Sequence, residues 1–294
     1  MDWDRAKNII IVLLLMINTA LFVISLRENG IAYRLTKEQR NDILTFLENN
    51  DIEFRGEIIN DFKPQKKIVL KSYEFEQNLL KSVFFKDEEV KESFETRYFV
   101  FQNDSGMLFI DELGNMFDFT PQTPQTYIEN FNRESAEKVC TDMISSLGSE
   151  FSQYKIDKVF SETENGEEKF IFYYRDFYKG KKMYCNSIRF AVGKTGLLNV
   201  SAEHYKIEEF EGRAKEIRSS DEAILEFYRY YSQMLYSEEE IAEDRLVIEN
   251  IELVYSLEEH GEEGTINAIP YYSIYTSWTE ETPILINAYN LTLT

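Results

Sequence analysis

The sequence predicts an α+β protein behind a single apolar N-terminal segment. The chain opens MDWDRAKNIIIVLLLMINTALFVISLRENG, with an almost unbroken apolar run from Ile9 to Leu26. Behind it, stretches with helical apolar spacing alternate with runs whose apolar residues recur in period two. Turn signals sit between those runs, so the strands are expected to fold back as antiparallel meanders with helices packed on one side of curved sheets.

The opening run is 18 residues long, interrupted by Asn18, Thr19 and Ser25. A bilayer core asks for about 20 apolar residues in a helix, within a range of roughly 17–25. A signal peptide usually has a shorter apolar core and ends on small residues. Here the exit is Ser25-Leu26-Arg27-Glu28, and no cysteine stands nearby for lipid attachment. An uncleaved anchor over 9–26 is therefore expected, with residues 1–8 as a cytoplasmic tail. Arg5 and Lys7 precede the run, whereas Arg27, Arg34, Lys37 and Arg40 follow it, so bare Lys/Arg counting favours the opposite orientation. That rule governs short loops. With so short a tail, a signal-anchor with its N-terminus inside is the simpler topology.

Asn18 and Ser25 lie seven residues apart, on one helix face, with Ile11 and Leu14 near the same stripe. An amide in hydrocarbon gains from a hydrogen-bonding partner, worth about 0.6–2 kcal/mol between helices. Ile11, Leu14, Asn18 and Ser25 are thus the candidate helix-partner face. A single tolerated Asn is the plainer reading of the same residue.

Composition bounds the rest. The chain is 43% hydrophobic and rich in Phe and Tyr, enough for a real core and too long for one small domain. A net charge of −21 argues against nucleic acid and against docking on anionic lipid. Five prolines and twelve glycines leave no low-complexity linker. The stretch Thr120-Pro121-Gln122-Thr123-Pro124 is the best boundary, giving domains over 27–120 and 125–294.

In the first domain, TKEQRNDILTFLENNDI reads as a helix capped by Thr36, with Gln39 three residues on. Strands are expected in DIEFRGEII and KKIVLKSYEF, and a short helix in FEQNLLKSVFF. The run RYFVFQNDSGMLFIDELGNMFDF then turns at Asn103–Gly106 and at Leu113-Gly114-Asn115. The second domain repeats one plan twice. Helix RESAEKVCTDMISSLG leads into strands KVFSETE, EKFIFYYRDF, KMYCNSIRFAV and LLNVSAEHYKIEEF. Helix SSDEAILEFYRYYSQML, capped by Ser219 or Ser220, leads into RLVIENIELVYSLEE, IPYYSIYTSW and PILINAYNLTL.

Motifs that carry chemistry are scarce. The two histidines, His204 and His260, belong to no zinc pattern, and there is no Gly-x-Ser-x-Gly elbow. The string Ala191-Val192-Gly193-Lys194-Thr195 ends like a phosphate loop, but Ile188 stands where its first glycine belongs, so it reads as a turn. Acidic runs at Glu238-Glu239-Glu240 and Glu258-Glu259 read as solvated surface, and no motif marks a carboxylate pair among the 53 acidic residues. Cys140 falls on the apolar stripe of its helix, while Cys185 is out of phase with Ile188 and Phe190, so two unpaired thiols are favoured over a disulfide. The tyrosines, among them Tyr173, Tyr174, Tyr228, Tyr231, Tyr271, Tyr272 and Tyr275, read first as sheet packing and second as a binding face. No catalytic, cofactor-binding or metal-ligating residue is assigned.

With these pieces placed, the chain resembles the YycI (WalI) family, membrane-anchored regulators of the WalK/WalR (YycG/YycF) two-component system in low-GC Gram-positive bacteria. The resemblance rests on Met-Asp-Trp-Asp-Arg-Ala-Lys leading into the anchor, on LTKEQRNDILTFLENNDI, on YRDFYKGKKMYCNSIRFAV and ENIELVYSL, and on the closing IPYYSIYTSW…ILINAY. Where that family shows Pro followed by a Trp-containing strand, this chain has Pro270-Tyr271-Tyr272, with Trp278 later. The resemblance implies an extracytoplasmic α+β region related to that of YycH and no enzymatic activity. It also implies action with a YycH-like partner on a WalK-type sensor histidine kinase that controls cell-wall metabolism. Two other classes stay open. One is a wall hydrolase or hydrolase inhibitor, which needs two converging carboxylates. The other is a sensor that binds a small ligand between its halves.

Overall fold

The computed structural model describes residues 11, 13–19, 33–86, 88–124, 126–164, 166–237, 245–258, 266–279 and 282–293. They form a mixed α+β architecture dominated by an open, curved sheet, and they divide into two compact units. Unit 1 takes the described residues of Met1–Gln65, Ala214–Glu252 and Tyr272–Thr294; unit 2 takes Lys66–Arg213 and Leu253–Tyr271. This partition differs from a division at 120–124. Those residues lie inside unit 2, because the strand Met116–Pro121 pairs with a strand far along the chain, setting Phe119 beside Val200.

Unit 2 begins with strand β2 (Gln65–Ser72) and helix α2 (Gln77–Phe85); β1 and α1 belong to unit 1 and are described below. A meander of β3 (Lys91–Glu95), β4 (Tyr98–Asn103), β5 (Gly106–Asp111) and β6 (Met116–Pro121) follows. Then come α3 (Arg133–Leu147), β7 (Lys155–Glu164), β8 (Glu167–Tyr178), β9 (Lys181–Gly193), β10 (Gly196–Glu203) and β11 (Tyr205–Lys215). Parts of β12 (Val247–Leu257) and β13 (Ile266–Thr276) complete the unit. The strand order is β11-β2-β13-β12-β9-β10-β6-β5-β4-β3, with β8 and then β7 added on β9.

Period-two burial runs through this sheet, as in β5, where Gly106, Leu108 and Ile110 are buried and their neighbours only partly so. Helices α2 and α3 supply the facing apolar stripes, α2 through Leu80, Phe84 and Phe85, and α3 through Ala136, Cys140, Ile144 and Leu147. They close over Leu108, Ile110, Phe117, Phe119, Phe172, Ile188 and Phe190 in the main core. A reciprocal cap starts α3. The Ser135 N–H donates to the Asn132 side-chain oxygen at 2.9 Å, and the Asn132 N–H donates to the Ser135 hydroxyl at 3.0 Å. Asn132→Ala strands the Ser135 N–H and is expected to lower stability by about 1 kcal/mol. In urea unfolding this would show as a shifted midpoint with an unchanged slope.

Unit 1 holds β1 (Glu53–Phe54), parallel to Val247 and Ile248, helices α1 (Lys37–Asn49) and α4 (Ser220–Ser237), and β14 (Ile284–Asn287) beside β13. The capping box expected at Thr36 is present, with Gln39 as its partner. At the start of α4 the Ser219 N–H donates to Glu222, while the Ser220 hydroxyl turns to the carbonyl of Ile59 at 2.8 Å. Helices α1 and α4 meet through Phe46 and Tyr228, whose rings lie edge to face at 4.9 Å, and the Tyr228 hydroxyl donates to Asn50 at 2.7 Å.

Three local expectations change. DIEFRGEII yields only Glu53–Phe54 as strand. LLNVSAEHYKIEEF is two strands, broken at His204. The charged strand β3 was not expected at all. Of Ala191–Thr195, the first three residues end β9 and Lys194-Thr195 form the expected turn to β10.

Candidate functional site

Two places draw interest: the apolar N-terminal segment and a buried polar seam in unit 2. Of the expected anchor over 9–26, Ile11 and residues 13–19 are described; they are helical and solvent-exposed. Leu13, Leu14, Leu15, Met16 and Ile17 each expose about half or more of their surface. Contiguous exposed aliphatic side chains of this kind are unusual on the surface of a soluble protein. Ile11, Leu14 and Asn18 all lie on this segment, while Ser25 lies outside the described residues, so the four-residue face is only partly placed. Thr19 turns its hydroxyl back to the Leu15 carbonyl at 2.8 Å, satisfying it within the helix. Among the described residues no helix is long and apolar enough to cross a membrane.

The polar seam arises where β8 and β9 fall out of register. Arg175 faces Ser187, but the next residue, Asp176, faces Met183, so residues 184–186 have no ladder partner on β8. A buried backbone must find its hydrogen bonds somewhere. Here side chains supply them. Arg175 donates to the Tyr184 carbonyl at 2.8 Å and lays its guanidinium over the Tyr184 ring. The Asn186 side chain imitates a strand, accepting from the Tyr205 N–H at 2.8 Å and donating to the Tyr205 carbonyl at 3.0 Å. It also donates to Asp176 at 3.0 Å, and Asp176 takes the Phe177 N–H as well. Asp157 closes the seam, bonded to Lys182 and 3.7 Å from Arg175. Burial raises the Asp176 and Glu203 carboxyls above their usual range, although Asn186 and Tyr205 respectively hold them back through hydrogen bonds.

His204 sits beside this seam, in the break between β10 and β11. Its Nδ1 lies 2.8 Å from the Tyr154 hydroxyl, and its ring packs on Tyr73 and Phe151 at 4.7 and 5.1 Å. Burial among these rings lowers its pKa to about 4, so the imidazole is neutral at pH 7. The seam's side chains are engaged with one another and with backbone groups. Such an arrangement completes a sheet and leaves little free for chemistry on a substrate. The sequence carries a signal for it, the Arg175-Asp176 pair set inside the aromatic strand FIFYYRDFY, which the motif reading passed over.

The remaining candidates fall elsewhere. Both cysteines are free and buried, Cys140 in the main core and Cys185 in a second cluster with Ile68, Met183 and Tyr255. Burial pushes the Cys185 thiol up to about 12, and Cys140 is raised too, so neither offers a thiolate at neutral pH. Tyr173, Tyr174, Tyr271, Tyr272 and Tyr275 are buried packing residues. His260 and Glu238-Glu239-Glu240 lie outside the described residues. A shallow groove of about 500 Å³ runs past Glu74, Glu76, Phe99 and Glu112, and another of about 460 Å³ past Phe46, Leu225, Tyr228 and Leu291.

No protein-family model matches the chain, and no curated protein matches it. Among solved structures, it is similar to an uncharacterized protein from Eubacterium rectale, with a TM-score of 0.53 and 11% identity. That likeness covers 83% of this chain and 90% of the other. At such identity it speaks for the α+β fold alone.

Proposed function

We propose that this protein is a membrane-tethered, non-enzymatic regulator. Together with a YycH-like partner, it sets the output of a WalK-type sensor histidine kinase that governs cell-wall metabolism. The observation that carries this reading is the exposed aliphatic helix of Ile11 and residues 13–19, lying within an 18-residue apolar run. In this reading residues 9–26 span the bilayer once, the first eight residues are cytoplasmic, and the rest of the chain is extracytoplasmic. The face of Ile11, Leu14, Asn18 and Ser25 packs against a helix of the kinase or its partner. The tether explains itself: confinement to one bilayer raises effective concentration, so weak contacts suffice for control. The resemblance of the N-terminal and closing segments to the YycI family supplies the partner class.

The test replaces Ile9–Leu26 with an unrelated spanning sequence in the full chain. Kinase control and co-purification of the kinase are expected to be lost, while the chain stays folded and membrane-bound. Control retained after the swap would refute the helix contact. A native chain that stays soluble, without membrane, would refute the tether.

A further inference from the structure

Strand β3 ends the sheet of unit 2, and among the described residues nothing pairs with its outer edge. All five of its residues, Lys91-Glu92-Ser93-Phe94-Glu95, are exposed, and Phe94 exposes 57% of its surface. Natural sheets blunt such edges with short strands, charged side chains, prolines or bulges. Strand β7, which also pairs on one side only, carries a register shift between Ile156 and Lys158. Strand β3 is short and carries Lys91, Glu92 and Glu95, charges that deter an unlike edge, but it has no bulge or proline and runs in unbroken register from Lys91 opposite Gln102 to Glu95 opposite Tyr98.

The hairpin fixes which backbone groups point outward. Thr96 and Arg97 both have positive φ, 47° and 82°, as in a two-residue type I′ turn. Glu95 and Tyr98 then form a hydrogen-bonded pair, as do the pairs two and four residues back. Glu92 and Phe94 therefore aim their N–H and C=O groups away from β4.

We propose that β3 is a self-association edge: two copies pair β3 with β3 antiparallel, about a two-fold axis at Ser93. In that register Glu92 of one copy faces Phe94 of the other, so the outward groups of both strands are satisfied. On one face Lys91 then stands opposite Glu95 of the second copy, twice by symmetry. On the other face the two Phe94 rings become diagonal neighbours and extend an aromatic ladder that already joins Phe94 to Phe99 at 5.0 Å. Lys91 and Glu95 are thus complementary in charge, Phe94 in apolar surface and the strand in backbone pairing, while Glu92 keeps its ion pair with Lys81 of its own copy at 3.0 Å.

Cross-linking of the purified full chain tests this. Cys140 and Cys185 are buried, so an introduced thiol reports alone. Ser93→Cys is expected to form a disulfide-linked dimer on mild oxidation, far faster than Asp104→Cys at an exposed turn outside the edge. Lys91→Cys mixed with Glu95→Cys should cross-link, and neither alone. Lys91→Glu should raise the dimer dissociation constant by about tenfold, with Glu95→Lys added in the same chain restoring it. Ser93→Cys linking no faster than Asp104→Cys would overturn the edge. Self-linking of Lys91→Cys as fast as the mixture would overturn the register.

Discussion

Phe119→Ala is expected to cost about 3–5 kcal/mol, a large share of the 5–15 kcal/mol that holds a typical domain together. Phe119 is fully buried on β6, stacked on Phe84 at 4.3 Å and edge-on to Phe85 at 5.7 Å. Removing the ring deletes two of the ring contacts that fasten α2 to the sheet, leaving Phe84 against Phe117 at 5.7 Å. The wall opposite is backbone at Gly106, where an added Cβ would lie 2.7 Å from the Phe119 ring, too close to be accommodated. That wall has no side chain to swing into the hole, so the cavity should persist. Urea unfolding of both proteins measures the loss. A double-mutant cycle sharpens it, because Gly106→Ala should be damaging in the native protein and nearly harmless beside Phe119→Ala. Additive costs would mean that the ring and the glycine are not in the contact described.

How much of this was legible in the sequence depends on range. Caps and periodicity are local, so α1 with its Thr36–Gln39 box, α2, α3, α4 and the β4-β5-β6 meander could be read directly. Strand β3 could not, because KESFE is polar but for Phe94 and shows no apolar alternation. Its hairpin with β4 makes it a strand, and its own propensity does not. The partition into units was hidden for a related reason. Which late strand returns to pair with β6, and that β1 runs parallel to β12, are non-local facts that no window of residues contains. That Cys185 is out of phase with Ile188 and Phe190 was legible, but the second cluster that buries it with Met183 and Tyr255 needs the late strand β12 and was not. The aliphatic segment from Ile9 was plain from composition, but its partner face rests on Ser25, outside the described residues.

Stability should fall as pH drops from about 6.5 to about 4, and His204 should be a principal cause. In the folded protein its ring is held neutral by burial down to about pH 4, against an unperturbed value of 6.5. Between those values the unfolded chain binds a proton that the folded chain refuses, so each unit of acidification favours unfolding by up to about 1.4 kcal/mol. The full window is worth about 3 kcal/mol, and below pH 4 both states are protonated and the loss stops. Asp176 and Glu203 act in the other direction. Their folded pKa values are raised, so they take up protons on acidification before the unfolded chain does and return some stability. His204→Gln separates the two effects. Glutamine keeps a polar partner for Tyr154 but cannot titrate, and both carboxyls remain in each protein. The stability difference between native and variant should be constant above pH 7 and shift toward the variant by about 3 kcal/mol by pH 4. A difference independent of pH across that range would show that the imidazole is protonated in place, with its cage open to water.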